Sequence, residues 1–299
     1  MAAFAFFALA GCGGESTPDN AGDGWRGDVK ELRMAISSLG QGTGDQTARL
    51  ELLREYMAKA TGLPVRLYHV NDPNSTVQAL TSGQVDVATM GAGAYANVHD
   101  QIGDKATPLL VTLGAGGETG YYSALVVRAD RPFRTLADLK GRSLAVVDLN
   151  STSGYLLPMH ALRRKGVDPT RYFSRVGVTG GHENAVMAVR SGQYDAAFVM
   201  AAGGTPETGF SITAYSMMED RGLIPRGSIR DIMHVGPMPN IPFVMRTDGP
   251  QAMQDLVRGA LAALPYDAGE DWGRLGIPAG TTLTATDDAA FAEVFALRT

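Results

Sequence analysis

The stretch "VVDLNSTSGYLLPMHALRRKG", residues 146–166, carries two β-branched residues, an Asp-Leu-Asn turn, three consecutive hydroxyl side chains, a glycine and then a helical pattern. It reads as a strand passing through a tight turn into a helix. Such a junction leaves the first backbone N–H groups of the helix without intrahelical partners. They point outward at the positive end of the helix dipole, so the junction can hold an anion without any charged side chain. One hydroxyl suffices to cap a helix. Ser151, Thr152 and Ser153 supply three, and Gly154 would let a ligand approach the backbone closely. Several donors at one rim suit a small tetrahedral oxyanion; a plain N-cap in a Ser-rich turn is the simpler reading of the same residues. Pro158 interrupts the helical pattern early and restricts hydrogen bonding in its first turns.

Outward from this stretch the chain alternates strands and helices. Strands are expected at 32–37, 64–70, 85–90, 106–114, 121–130, 143–148, 172–180 and 194–200, with two more short ones inside 225–247 around a Pro-rich bend. Helical spacing marks 46–62, 74–83, 94–102, 135–141, 182–192, 250–265 and 287–297, and "GQGTGD" (40–45) reads as a glycine-rich loop. This alternation predicts an α/β fold with mainly parallel sheets covered on both faces. An internal echo refines it: "SGQVDVATMG" (82–91) and "SGQYDAAFVM" (191–200) share Ser-Gly-Gln-x-Asp-x-Ala where a helix gives way to a strand. Gly as helix stop and Asp as turn residue would account for each separately. Two similar lobes account for both together. On that reading lobe I is 31–119 plus 240–299 and lobe II is 120–239. Crossings near Gly120 and Pro239–Pro242 form a hinge, and a ligand cleft lies between the lobes.

Composition excludes several classes. A net charge of −5 with 19% charged residues gives no electrostatic footprint for nucleic acid. The five histidines are dispersed, with no pair at metal-ligand spacing, so neither metal nor other cofactor is expected. Residues 1–11 read as a secretory signal too short to span a bilayer. "LAGC" (9–12) resembles the lipobox of bacterial lipoproteins, which implies a lipid on Cys12. Cys12 is the only cysteine, so no disulfide can form within the chain. The Gly/Asp/Ser/Pro-rich residues that follow, to about 30, suit a flexible tether.

A second junction, "VTGGHENAVMAV" (178–189), repeats the arrangement of strand, glycines and helix start, with His182 where a ring N–H could reach an oxyanion. "GYYSALVV" (120–127), "DLNSTSGYLLP" (148–158) and "GGHENAVMAV" (180–189), in this order and spacing, resemble the phosphate/phosphite/phosphonate-binding periplasmic proteins of ABC transporters, the PhnD-like group. The resemblance implies a two-lobed, type II-like periplasmic binding protein that closes on its ligand and docks on an inner-membrane permease. It places ligand contacts at Tyr121, Ser151, Thr152, Ser153 and His182, with Tyr95 as a secondary candidate and Tyr122 as a packing aromatic. Relatives that bind aminoalkylphosphonates grip the ammonium with a tyrosine and two acidic residues. Here the matching positions are Pro73, Ala202 and Ile241, where a buried ammonium would be costly. The expected ligand is therefore phosphate, phosphite or a simple alkylphosphonate. Two other readings stay open: a sensor or binder of another small anion on the same fold, and a serine hydrolase built from Ser151 or Ser153, His182 and Asp148.

Overall fold

Strands that carry apolar residues on both faces need cover on both sides, and β1 shows why. Leu32, Met34 and Ile36 face one core while Ala35 faces another, and all four are fully buried. The computed structural model describes residues 24–36, 46–70, 72–275, 277 and 280–298. The signal segment, Cys12 and the glycine-rich loop 40–45 lie outside the described residues.

The first sheet has the order β12-β4-β11-β3-β1-β2. Its strands are β1 (Leu32–Ile36), β2 (Val65–His69), β3 (Val87–Thr89), β4 (Ala106–Leu113), β11 (Pro242–Arg246) and β12 (Thr282–Ala285). On one face lie α1 (Gln46–Thr61) and α8 (Gln251–Asp267), whose Leu53, Met57, Val257 and Leu261 join the core of Leu32 and Met34. On the other lie α2 (Pro73–Thr81), α3 (Ala92–Ile102) and the C-terminal α10 (Ala292–Ala296).

The second sheet has the order β10-β5-β8-β6-β7, with β9 paired to β8. It is built from β5 (Gly120–Arg128), β6 (Ser143–Val146), β7 (Arg175–Val178), β8 (Ala196–Thr205), β9 (Gly209–Thr213) and β10 (Ile229–Pro239). Helices α6 (His182–Arg190) and α7 (Ala214–Asp220) cover the face of Ala124, Val126 and Val199. Helix α4 (Leu157–Arg164) covers the face of Leu125, Leu144 and Phe198, with the short α5 (Pro169–Tyr172) after it. A last short helix, α9 (Glu270–Arg274), closes the end of α8 and buries Trp272.

Two chain segments join the sheets, and they run side by side. Gly120 pairs with Pro239, and the Asn240 backbone N–H donates to Thr119 O at 3.1 Å. The Asn240 side chain donates to Thr112 O at 2.7 Å and Glu118 O at 3.2 Å.

The echoed motif marks equivalent junctions. After α2, Asp86 Oδ2 accepts the Arg33 backbone N–H at 2.8 Å; after α6, Asp195 Oδ2 accepts that of Ser143 at 2.9 Å. In each sheet the Asp ties the strand it precedes to its parallel neighbour, β3 to β1 and β8 to β6. One carboxylate thereby replaces a partner the sheet cannot supply at the start of a strand.

Three expectations change. The tether is docked earlier than expected: Gly24–Gly27 forms a 3-10 turn, Trp25 packs on the first core, and Arg26 Nη1 donates to Thr61 O at 3.1 Å. The strand expected at 194–200 is longer, because β8 runs on to Thr205 and returns as β9, followed by α7. The strand after the Ser/Thr helix begins at Arg175, since Pro169–Tyr172 is helical with Asp168 as its cap.

Asp195→Ala should lower stability by about 1–2 kcal/mol, the cost of leaving a half-buried backbone donor unpaired. A thermal melt reads this directly, and ligand titration of the same variant should match the wild type.

Candidate functional site

The hydroxyl run sits where β6 ends. Ser151 is the N-cap, with its Oγ accepting the Gly154 N–H at 3.1 Å. The chain then makes a π-helical turn, Thr152–Leu156, before α4 begins. Leu156 N–H donates to Ser151 O at 3.0 Å, and Leu157 N–H to Thr152 O. Gly154 is required for a reason other than ligand approach. A Cβ there would lie 2.4 Å from Val147 Cβ, so the turn can seat against the strand only with glycine.

Tyr121 reaches the run from β5. Its hydroxyl lies beside those of Thr152 and Ser153; burial raises its pKa, and these two neighbours pull the other way. All four residues are buried or nearly so, with Tyr121 at 7%, Ser151 at 9%, Thr152 at 1% and Ser153 at 2% exposure. Tyr121, Thr152 and Ser153 therefore form one cluster of neutral hydroxyls, with Ser151 capping the turn that carries two of them.

His182 opens α6 beside them. The turn before it is pinned to the same strand end, with Thr179 N–H donating to Val146 O at 2.9 Å and Gly180 N–H to Val147 O at 2.8 Å. Its N-cap, Gly181, offers no side-chain hydrogen bond, so the first amides of α6 keep their donors. The ring Nδ1 accepts the Met200 N–H at 3.2 Å, which places the proton of the neutral ring on Nε2. Desolvation pushes the His182 pKa down to about 4, so the ring is neutral at pH 7 and acts as an N–H donor without net charge.

Lobe I closes over this cluster. Gly93 N–H, in the first turn of α3, donates to Thr152 Oγ1 at 2.6 Å. A Cβ on Gly93 would fall 2.5 Å from Leu156 Cδ1 and 2.6 Å from Asn150 O, so this approach demands glycine. Beside it, Asn74 Nδ2 donates to Asp148 Oδ2 at 3.1 Å and Asn150 Nδ2 donates to Asn74 Oδ1 at 2.6 Å. Asn150 Oδ1 also accepts Asn97 Nδ2 at 3.2 Å and Arg298 Nη1 at 3.0 Å. Arg298 is itself held by Asp100 at 2.8 Å. The first turn of α3 thus meets the π-turn directly, and α6 starts from the end of the same strand.

Sequence reasoning missed Asn74, Gly93, Asn97, Asn150 and Arg298. Only Gly93 left a signal, in the small-residue run "GAGA" opening α3. The asparagines look like turn and surface residues until the lobes are brought together.

Tyr95 does not join the cluster. It is fully buried, its ring packs edge-on against Phe291 at 5.4 Å, and its hydroxyl donates to Asp288. Burial, then the Asp288 carboxylate, raises its pKa. Its helical position puts it on the face of α3 that meets the C-terminal helix, so it is a core residue of lobe I. Tyr122 packs against Phe210 at 5.2 Å as expected. Asp148 is engaged by the Asn150 N–H at 2.8 Å and by Asn74, while the His182 Nδ1 takes a backbone donor. The groups of a Ser-His-Asp relay are therefore not linked. Pro73, Ala202 and Ile241 are half-buried, and Glu207 lies in the exposed β8–β9 turn, held by Thr205 at 2.7 Å.

Two α/β lobes joined by paired crossings, with helix N-termini meeting at the gap, define a two-lobed periplasmic binding protein. A family model described as ABC transporter, phosphonate, periplasmic substrate-binding protein matches residues 41–288, and the chain belongs to that family. It is 29% identical over 198 residues to the phosphate-import protein PhnD of Mycolicibacterium smegmatis, covering 64% of this chain and 57% of that protein. It is 31% identical over 145 residues to the phosphonates-binding periplasmic protein of Escherichia coli, covering 47% of this chain and 42% of that one. The chain thus spans about half the length of these two relatives. Among solved structures, the binding-protein component of an ABC phosphonate transporter from Pseudomonas aeruginosa superposes with a TM-score of 0.72 at 23% identity, covering 90% of this chain and 85% of that one. PhnD1 of Prochlorococcus marinus, in complex with methylphosphonate, gives 0.71 at 14% identity, covering 90% and 97%.

The depressed His182 pKa has a consequence for stability. Below the ordinary value of 6.5 the unfolded chain takes up a proton that the folded ring refuses until about 4. Stability is therefore lost as pH falls through this window. Melting temperatures of the ligand-free protein should show that decline, and His182→Gln should flatten it; an identical slope in the variant would contradict the assignment.

Proposed function

We propose that this protein captures a small phosphorus oxyanion, namely phosphate, phosphite or a simple alkylphosphonate, and delivers it to an ABC permease in the membrane. The observation that carries the reading is the meeting of the Tyr121, Thr152 and Ser153 hydroxyls at the start of the π-turn, with neutral His182 opening α6 from the end of the same strand. All these donors are uncharged, and a tetrahedral anion offers enough acceptor oxygens to engage several at once. The hinge lies at the paired crossings near Gly120 and Pro239–Pro242, dividing 31–119 plus 240–299 from 120–239. The reaction is binding and release, with no catalytic step. Ser151 serves first as a cap and offers only its O–H proton to the ligand, so Ser153 and Tyr121 bear more of the recognition. The first-lobe Pro73 and the half-buried Ala202 and Ile241 supply no carboxylate for an ammonium group, which supports a ligand without an amine.

Calorimetric titration tests this. Phosphate, phosphite or methylphosphonate should bind, and 2-aminoethylphosphonate should bind more weakly; the reverse ranking would refute the reading of Pro73, Ala202 and Ile241. Ser153→Ala should weaken binding by about 10- to 100-fold, the worth of one hydrogen bond to a charged group. Heats unchanged from the wild type would remove the hydroxyl cradle.

The same proposal puts the protein outside the cytoplasm, tethered by a lipid on Cys12. Cys12→Ala should shift the protein from the membrane fraction to the soluble fraction and remove the lipid mass; membrane retention of the variant would end that part of the reading.

A further inference from the structure

The π-turn contains a carbonyl, Ser153 O, that is bonded from outside its own helix. Leu157 N–H, the α-helical partner of Ser153 O, is taken by Thr152 O. The next residue, Pro158, stands where a π-helical bond to Ser153 O would come from, and it has no N–H. Ser153 O is nonetheless not orphaned: Ser123 Oγ donates to it at 2.6 Å. Ser123 is fully buried in the middle of β5, paired with Met200 on one side and Val235 on the other. It lies two residues from Tyr121, so both project from the same face of the strand. Tyr121 meets the hydroxyls of Thr152 and Ser153, and Ser123 grips the backbone between them and the helix.

A buried serine on an apolar strand face has a cost unless its hydroxyl is paired. Here it is paired with an acceptor that Pro158 leaves open. A carbonyl and the N–H on the same residue lie in neighbouring peptide planes, so anchoring Ser153 O restricts how the Ser153 and Gly154 planes rotate. We propose that Ser123 is a positioning residue for the oxyanion site. With Pro158 it selects the π-turn over a regular first turn and aims the Thr152 and Ser153 donors at the ligand. This rests on the ligand reading above, although the backbone effect can be measured without ligand.

The experiment compares wild type, Ser123→Ala and Ser123→Ala/Pro158→Ala in two measurements. Titration uses inorganic phosphate and methylphosphonate. The single variant should lose about tenfold or more in affinity for whichever anion the wild type binds, the scale of one lost hydrogen bond at the site. The double variant restores an N–H at residue 158 able to serve Ser153 O and should regain most of that loss, a recovery that a merely structural role for Ser123 would not produce. Amide hydrogen exchange of the ligand-free proteins is the second measurement. Residues 153–157 should exchange faster in Ser123→Ala than in the wild type, and slow again in the double variant, while β8 and α6 stay protected. Wild-type affinity in Ser123→Ala, or a double variant no better than the single one, would overturn the proposal. Should the wild type bind neither anion, the ligand reading fails by itself, and unchanged exchange at 153–157 is then the result that overturns the role of Ser123.

Discussion

An anion can be held without cations only where many weak donors are already aimed before it arrives. Rotating a free hydroxyl or peptide into place at the moment of binding would consume the gain, since each contact is worth only a few kcal/mol. On the proposed reading of this protein, the aiming is done by the junction of β6 with the π-turn. Gly154 allows the turn to press against Val147, Ser151 caps it, and Ser123 holds the Ser153 carbonyl from β5. Each of these interactions constrains backbone, and the side chains that face the gap inherit their direction from it. The neutral state of His182 follows the same logic. Its half-buried ring is tied through Nδ1 to a strand amide, and it keeps one directed N–H in place of a diffuse positive charge.

The lobes meet through groups that belong to the same junction. Thr152 both contacts Tyr121 and accepts the Gly93 amide from lobe I, and the Asp148-Leu149-Asn150 turn before it bonds Asn74, Asn97 and Arg298. A change in the turn that shifts Thr152 would therefore disturb its neighbour Tyr121 and the bond to Gly93 together. The paired crossings at Gly120 and Pro239 set this arrangement at the other end, because β5 runs from its crossing directly to Tyr121 and Ser123.

Much of this was legible in the chain itself, for identifiable physical reasons. Short apolar runs alternating with helical spacing announce sheets with covered faces, because side-chain direction is a local property of strands and helices. The repeated Ser-Gly-Gln-x-Asp-x-Ala is visible because both lobes solve the same problem, an unpaired amide at a strand start, with the same Asp. Ser151–Ser153 and His182 stand out because each follows a strand and opens a helix. Tyr95 misled because a tyrosine near a glycine-rich helix start has the right chemistry for a ligand contact; its rotation about α3 turns it into the core against Asp288 and Phe291.

The amino-acid sequence by itself determined the α/β class, the helix-start donors and the family, since these depend on residue type and on spacing within short segments. Tertiary structure alone decided which of those donors meet and what supports them. Ser123 is an unremarked serine in an apolar strand until Pro158, 35 residues away, leaves a carbonyl open beside it. Asn74 and Asn150 are turn residues until the two lobes place them side by side. Such pairings depend on how sheets and helices pack across long separations in the chain, and local pattern carries no record of that distance.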